Sequence, residues 1–192
     1  MKQLKVWRSL LTVLASLGAA ACGVDSPTAP KLQGEADRLL VSGLVDGLVS
    51  KDALTRKNAL PEDITVSAVI GKDGGTLSIP AAGFELRVPA GAVKDPTNFT
   101  VTALKGKLVA YEFGPHGITF DKALEARQNL VGTDWSLLSL KPLFAGYFAD
   151  KDQLDYASKT ALLSEVLDGV TTPLTKKFSW NIEHFSGYVV AW

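Results

Sequence analysis

From Ile64 to the C-terminus, apolar and polar residues alternate in short runs that are separated by Gly, Pro, Asp and Asn. Because successive side chains of a β-strand point to opposite faces, this alternation predicts half-buried strands. The runs fall at Ile64–Ile70, Thr76–Pro80, Phe84–Pro89, Asn98–Leu104, Leu108–Phe113, Ile118–Asp121, Leu124–Leu130, Leu143–Ala149, Phe178–Glu183 and Gly187–Trp192. Many short strands at regular spacing predict one all-β domain over residues 61–192, built as an antiparallel β-sandwich.

One stretch of this region has no single interpretation. Lys159–Leu167 fits either a short helix or a strand that is broken by Ser164. The turns have a clearer pattern. Lys72–Gly75 ends in two glycines, and Pro89–Ala92 combines a proline, which fixes φ, with a glycine that accepts a positive φ.

Residues 35–60 have a different pattern, for which we expect an amphipathic helix and a linker. Between Glu35 and Ser50, apolar residues recur at helical spacing and polar residues occupy the other side. Gly43 and Gly47 weaken such a helix by up to about 1 kcal/mol each relative to Ala. The helix then either packs on its own domain or frays, or it serves self-association or lies on a membrane surface.

The first 22 residues are typical of an exported bacterial protein. Positive charges in residues 1–8 precede an uncharged, mostly apolar stretch that ends in small residues, so we predict a signal peptide over residues 1–21. Ala19–Cys22 resembles a bacterial lipobox, although Ala19 stands where Leu, Val or Ile is usual. The resemblance implies that Cys22 is lipidated and anchors the chain to a membrane. Residues 22–34 then form a flexible tether. In the alternative, an ordinary signal peptidase cuts after Ala21 and leaves a free thiol.

Charge and cysteine content narrow the function classes. The sequence has 20 basic and 20 acidic residues, and loss of Lys2, Lys5 and Arg8 with the signal peptide leaves a net charge near −3. This balance argues against a nucleic-acid partner, which needs clustered Lys and Arg. Cys22 is the only cysteine, so an intramolecular disulfide is impossible and a thiolate metal site is not expected. We expect no cofactor.

Three motifs in the β region resemble the ZU5 domain. Gly74–Leu77 followed by Gly83–Val93 gives paired glycines, a strand with leucine, and a strand that ends in Pro-Ala-Gly-Ala. Gly114–Phe120 is similar to the Gly-Pro-His-Gly block of that family, and His184–Tyr188 resembles its closing His-Phe-Ser signature. The motifs occur in family order, with one departure at Lys122–Ala123, where the family often has Lys-Pro. The resemblance implies a β-sandwich that is used for protein contacts.

The closing motif also implies a possible reaction. In some ZU5-containing proteins the His-Phe-Ser triplet cleaves itself, with the serine hydroxyl attacking the preceding carbonyl. Here Ser186 is the nucleophile, His184 is the base and the Phe185–Ser186 bond is the one broken. The packing alternative needs no chemistry. In a strand, His184 and Ser186 share one face while Phe185 fills the core, and we favour this interpretation.

Other candidate residues carry weaker signals. His116 lies in a turn motif, and with His184 it supplies too few ligands for a zinc site. Asp150–Asp155 holds three carboxylates but lacks the glycine and terminal glutamate of an EF-hand. We expect no metal site. Trp135, Trp180 and Trp192 are expected in the core, and any that is exposed is a candidate for a contact site.

Together these features predict a membrane-anchored lipoprotein of the bacterial cell envelope, facing the periplasm or the cell exterior. We expect its β-sandwich to be a non-catalytic module that binds a protein or an envelope polymer, or supports structure. Self-cleavage between Phe185 and Ser186 is the first alternative. A carbohydrate- or surface-binding module is the second, and it requires a row of exposed aromatic side chains on one face.

Overall fold

The computed structural model of the chain describes residues 47–192. The predicted signal peptide, Cys22, the tether and the predicted helix as far as residue 46 lie outside the described residues. Within the described range the chain forms fifteen strands and two short 3-10 turns. The strands are β1 (Val49–Asp52), β2 (Thr55–Leu60), β3 (Ile64–Ile70), β4 (Gly75–Ile79), β5 (Phe84–Val88), β6 (Thr97–Ala103), β7 (Gly106–Leu108), β8 (Ala110–Gly114), β9 (Thr119–Asn129), β10 (Phe144–Phe148), β11 (Leu154–Asp155), β12 (Thr160–Leu163), β13 (Glu165–Thr172), β14 (Lys177–His184) and β15 (Gly187–Ala191).

Ten strands build the body of the domain in the order β3-β6-β8-β15-β10-β13-β14-β9-β5-β4. Every pair is antiparallel. β13 turns the corner between two layers: residues 165–168 pair with β10, and residues 169–172 pair with β14. The layers face each other, because Phe84 of β5 stacks on Tyr111 of β8 at a centroid distance of 4.1 Å. The predicted all-β antiparallel sandwich is confirmed.

The space between the layers is filled by aromatic and aliphatic side chains. Phe84 contacts Phe113 and Trp180 as well as Tyr111, with ring centroids 5.8 and 6.1 Å away. Rings at such separations add about 0.5–1.5 kcal/mol per pair beyond the burial of their area. The buried aromatic residues of this core are Phe84, Phe99, Tyr111, Phe113, Phe178, Trp180, Phe185 and Tyr188.

A third layer covers the outside of the β15 sheet. β1, β12 and β11 form a separate antiparallel sheet, which packs through a second hydrophobic core. This core consists of Ala53, Leu104, Leu108, Ala110, Phe148, Leu154, Ala161, Leu163 and Val189. The layers approach closely at Gly146, where an added Cβ would overlap Leu163. As a result all five residues of β15 are buried, and an uninterrupted apolar run is typical of a strand covered on both faces.

The structure differs from the predicted linker at residues 49–60, where β1 and β2 belong to the domain. The Leu54 amide donates to Val190 O at 2.8 Å, and its carbonyl accepts from the Val109 amide at 2.9 Å. Leu54 is fully buried in the main core. Val49 and Ser50, the last residues of the predicted helix, lie in β1 and pair with β12. The domain therefore begins before residue 61, because backbone partners far along the sequence override the local helical spacing.

Two further predictions are refined by the structure. The ambiguous stretch Lys159–Leu167 is β12 followed by the start of β13, and the break falls at Ser164. The Ser164 amide donates to Tyr147 O at 2.9 Å. This hydrogen bond holds the chain where it leaves β12 of the outer sheet and enters β13 of the ten-stranded body. The two runs predicted at Ile118–Asp121 and Leu124–Leu130 form one continuous strand, β9.

Removal of residues before 61 should destabilise the domain. A chain that starts at residue 61 loses β1, β2 and the hydrogen bonds of Leu54, so we expect a lower midpoint of urea denaturation, or no cooperative transition, relative to a chain that starts at residue 47. Leu54→Ala in the longer chain should cost about 2–5 kcal/mol of unfolding free energy. Lys57→Ala, which changes an exposed side chain, is the matched control and should change it by less than about 0.5 kcal/mol. Equal midpoints for the two chain lengths would contradict this prediction.

Candidate functional site

The closing His-Phe-Ser motif lies where the chain crosses from one layer to the other. β14 ends at His184 and pairs with β9, whereas β15 begins at Gly187 and pairs with β8 and β10. Phe185 is 2% exposed. Its ring lies 5.2 Å from that of Phe99, 5.5 Å from Phe113 and 4.8 Å from Phe120. The aromatic residue of the motif therefore fills the core at the crossing.

His184 and Ser186 lie in different environments. The His184 side chain is 41% exposed, and its Nε2 lies 3.8 Å from Glu165 Oε2. Ser186 is buried, and its carbonyl accepts from the Phe113 amide at 3.0 Å. The expectation that the two side chains share one face of a strand is not met, because β14 ends at His184. The imidazole faces a carboxylate at the surface, and the hydroxyl belongs to a buried residue.

The other candidate ligand residues have structural contacts of their own. Asp150 caps the turn Lys151–Gln153 by accepting from the Asp152 amide at 3.0 Å. Asp155 accepts from the amides of Ala157 and Ser158, and the bond from Ser158 is the largest cause of a lowered pKa for this carboxyl group. His116 is exposed. Among residues 47–192, no group of three or more His, Cys, Asp or Glu side chains is arranged to hold a metal ion.

The tryptophans do not form an aromatic platform. Trp180 is buried, and Trp135 and Trp192 are partly buried against the main core. Of the aromatic residues in the described range, only Tyr156 is exposed. The row of exposed aromatic side chains that a carbohydrate-binding module requires is therefore not formed by residues 47–192.

Leucines are exposed at one end of the sandwich instead. Leu137, Leu138 and Leu140 are 63%, 89% and 100% exposed on the loop between β9 and β10, and Leu174 is 97% exposed on the turn between β13 and β14. We call these four residues the leucine surface. Leu137, Leu140 and Pro173, the residue before Leu174, line one hollow, so the loop and the turn lie close together. Large apolar side chains that are exposed and close together mark a candidate contact site.

The loop that carries three of these leucines has a fixed base. Thr133 Oγ1 donates to Leu130 O at 2.8 Å and accepts from the Trp135 amide at 3.2 Å. The Asp134 carboxylate accepts from both the amide and the hydroxyl of Thr55, at 2.9 and 2.8 Å. β2 therefore holds the loop in place, and the leucines project from an ordered support.

Trp135 separates two hollows beneath the leucine surface. One, of about 240 Å³, is lined by Val131, Leu137, Lys57 and Lys176 among others. The second, of about 370 Å³, is lined by Leu137, Leu140, Lys141 and Pro173 among others. No carboxylate lines either hollow. Lys141 pairs with Asp52 at 3.5 Å, whereas Lys57 and Lys176 have no ion-pair partner among residues 47–192. These two lysines favour a partner that presents acidic side chains beside its apolar patch.

The sequence predicted none of the four leucines as a contact site, although it marked Trp135, which lines both hollows. The available signal was the segment Leu137–Leu140, which has three leucines but matches neither strand alternation nor helical spacing. Leucine in an unpatterned segment is ordinarily assigned to the core. The exposure of these side chains follows from the hydrogen bonds at the base of the loop, and those contacts join residues far apart in sequence.

The family model of the ZU5 domain matches residues 66–112, which run from within β3 to within β8. No curated protein matches the chain. Among residues 47–192 there is no helix of the length and hydropathy needed to cross a bilayer. The motif at Gly74–Val93 falls inside the matched range, whereas the two later motifs follow it. Residues 66–112 therefore resemble the ZU5 domain, and they belong to the antiparallel β-sandwich described above.

Proposed function

We propose that this protein is an exported bacterial lipoprotein, anchored to a membrane through Cys22, whose ZU5-like sandwich binds another protein and catalyses no reaction. The leucine surface is the observation that carries the proposal. ZU5 domains mediate protein interactions. The matched strands β3, β4, β5, β6 and β8 belong to the same ten-stranded body as β9 and β10, which flank the loop that displays three of the leucines.

The size and chemistry of the leucine surface suit a specific contact. Full burial of one leucine side chain contributes about 1.5–3 kcal/mol, so even two of the four would account for a tenfold or greater change in affinity. Lys57 and Lys176 line the hollow beside Leu137, and they are charged groups next to the leucines. An apolar centre with a charged rim is the usual arrangement of a protein interface. The expected partner therefore presents an apolar patch that is bordered by Asp and Glu.

The anchor is supported by the sequence and by the reach of the chain. Gly47, the first described residue, lies 25 positions after Cys22. A segment of that length spans at most about 80–90 Å when fully extended. The leucine surface can therefore reach a partner in the periplasm or at the cell surface while Cys22 stays in the membrane.

The environment of the closing motif supports the non-catalytic part of the proposal. A serine that attacks its own peptide bond needs a base within hydrogen-bond reach. The imidazole of His184 is instead placed at the surface beside Glu165. Phe185 is held on several sides by aromatic rings, as described above, and this packing gives the motif a role in the fold.

Mass spectrometry separates the proposal from self-cleavage. A chain that starts at residue 22 should keep its full mass after prolonged incubation at neutral pH and after denaturation. Self-cleavage would release the seven residues Ser186–Trp192. A shortened species in the wild type that is missing from Ser186→Ala would show that the motif is reactive and would refute the non-catalytic assignment.

Metabolic labelling tests the anchor. Cells grown with an alkyne fatty acid should label the wild-type protein, and Cys22→Ser should abolish the label because Cys22 is the only cysteine in the chain. Ala21→Gly, which keeps a small residue before the cysteine, serves as the control and should retain the label. Equal labelling of wild type and Cys22→Ser would end the lipoprotein assignment.

Site-specific crosslinking tests the leucine surface. A photoreactive benzoylphenylalanine placed at Leu138 should crosslink to a second protein in living cells, and Leu140→Ser in the same chain should reduce that product about tenfold or more. The same probe at Val69, which is 69% exposed on β3, is the matched control and should give no such product. No crosslink at Leu138, or equal products at both positions, would contradict the proposal, and a product of twice the chain mass would identify the partner as a second copy.

A further inference from the structure

Arg56 of β2 is a buried arginine. It is 5% exposed. Its Nη1 donates to the carbonyls of Leu104 and Leu108, and its guanidinium carbon lies 5.5 Å from the centre of the Tyr111 ring. One nitrogen of the guanidinium is thus held by the β6–β8 region.

The other edge of the same group has no partner. Arg56 Nε and Nη2 are buried and make no hydrogen bond to residues 47–192. These two nitrogens lie on one edge of the planar group, and their N–H bonds point in nearly parallel directions. This is the pair of donors that holds a carboxylate through two hydrogen bonds. A buried charged donor that stays unpaired is destabilising, so the edge needs an oxygen partner.

Arg127 shows what the same edge does when a carboxylate is available. Its Nε and Nη2 donate to the two oxygens of Glu125 at 2.9 and 2.8 Å. Arg56 has no such neighbour, since the salt bridges of the described residues include none to its guanidinium. The two arginines therefore differ in whether the carboxylate comes from the domain itself.

A pocket of about 240 Å³ lies against Arg56. Its lining includes Arg56, Asn58, Ala82, Gln128 and residues 131–133. The lining contains one cation and no carboxylate. Gln128 is held in place, since it donates to Ala82 O at 3.1 Å and accepts from the Tyr111 hydroxyl. The floor of the pocket is therefore built by fixed polar groups.

Tyr111 does not supply the missing negative charge. Burial raises the pKa of its phenol above the usual value, and the opposing effect of Arg56 is smaller. The hydroxyl therefore stays protonated at neutral pH and donates to Gln128. The charge of Arg56 is left without a compensating anion among the described residues.

We propose that this pocket receives a carboxylate, bound through two hydrogen bonds by Nε and Nη2 of Arg56. Val131, Gly132 and Thr133 line both this pocket and the hollow beside Trp135, so the site borders the leucine surface. As the source of the carboxylate we take an Asp, a Glu or the C-terminus of the bound protein, and this part rests on the proposed function. The two nitrogens have almost no accessible surface. Entry therefore requires a shift of rim side chains such as Asn58, as is common on binding.

Acetate is the probe that tests the pocket without any partner. The experiment uses the chain that starts at residue 22 and follows the ¹⁵N resonance of Arg56 Nε–Hε. As sodium acetate is added at constant ionic strength, this resonance should shift and then saturate, with half-saturation in the millimolar range. Sodium chloride should not shift it. The Arg127 Nε–Hε resonance is the internal control and should not move, since its edge is occupied by Glu125. An Arg56 resonance that acetate does not move would overturn the inference and would mean that water satisfies the buried edge.

Variants give a second readout. The thermal midpoint of the wild type should rise by a few degrees in acetate relative to chloride, because a ligand that binds only the folded state stabilises it. Arg127→Met should keep this rise and Arg56→Met should lose it. If Arg56→Met does not fold, the resonance of the wild type still decides the question. Equal loss in both variants would show a general salt effect and would overturn the inference.

The outcomes separate this inference from the proposed function. Acetate binding without a crosslink at Leu138 would support the carboxylate site and would contradict a protein partner as the source of the carboxylate. A crosslink at Leu138 without acetate binding would support the protein partner and would contradict the carboxylate site. If both hold, Arg56→Lys should weaken the crosslink, because a lysine cannot form the two-pronged contact.

Discussion

Burial of β15 on both faces is the constraint on which the other features of the domain depend. Tyr188 and Val190 enter the core between the two layers, and Val189 enters the second core beneath the outer sheet. Its two edges pair with β8 and β10, and its hydrogen bonds also reach Leu54. Because one strand joins both cores, the chain that precedes it must arrive at a fixed place. The Tyr188 hydroxyl secures that arrival by donating to His184 O at 2.9 Å.

This arrangement explains why the closing motif behaves as part of the fold and why the distinctive surface chemistry lies elsewhere. Phe185 lies where the chain crosses between the layers, and its ring packs in an aromatic cluster. Packing in the core therefore accounts for an aromatic residue at the middle position of the motif. The strands offer few side chains for binding, since most of their faces pack against other parts of the domain. Loops at one end of the sandwich are not committed to such packing. The leucine surface lies on such loops, and the hollow beside Trp135 shares residues 131–133 with the Arg56 pocket.

The sequence predicted the strands that are governed by their own side-chain pattern. β3 to β6 and β14 fall where alternation placed them, because each has one face in the core. β1 and β2 were missed, since the position of Leu54 depends on Val109 and Val190, which are far away in sequence. The site was harder to predict. Arginine is rarely buried, and nothing near Arg56 in the sequence shows that one edge of its guanidinium meets no acid. The exposed leucines are likewise assigned to the core from the sequence alone, because leucine is usually buried.

The entry of the chain through the outer sheet has a mechanical consequence. Residues 49–52 pair with β12 before the chain reaches Leu54 and the main core. Tension that arrives from the N-terminal side is therefore borne first by four antiparallel residue pairs at the periphery. Those pairs between β1 and β12 would separate while the main core stayed folded. The strand β1 would therefore detach from the outer sheet before the sandwich unfolds. Under such tension the domain would lengthen at β1 before the residues of the main core are pulled apart.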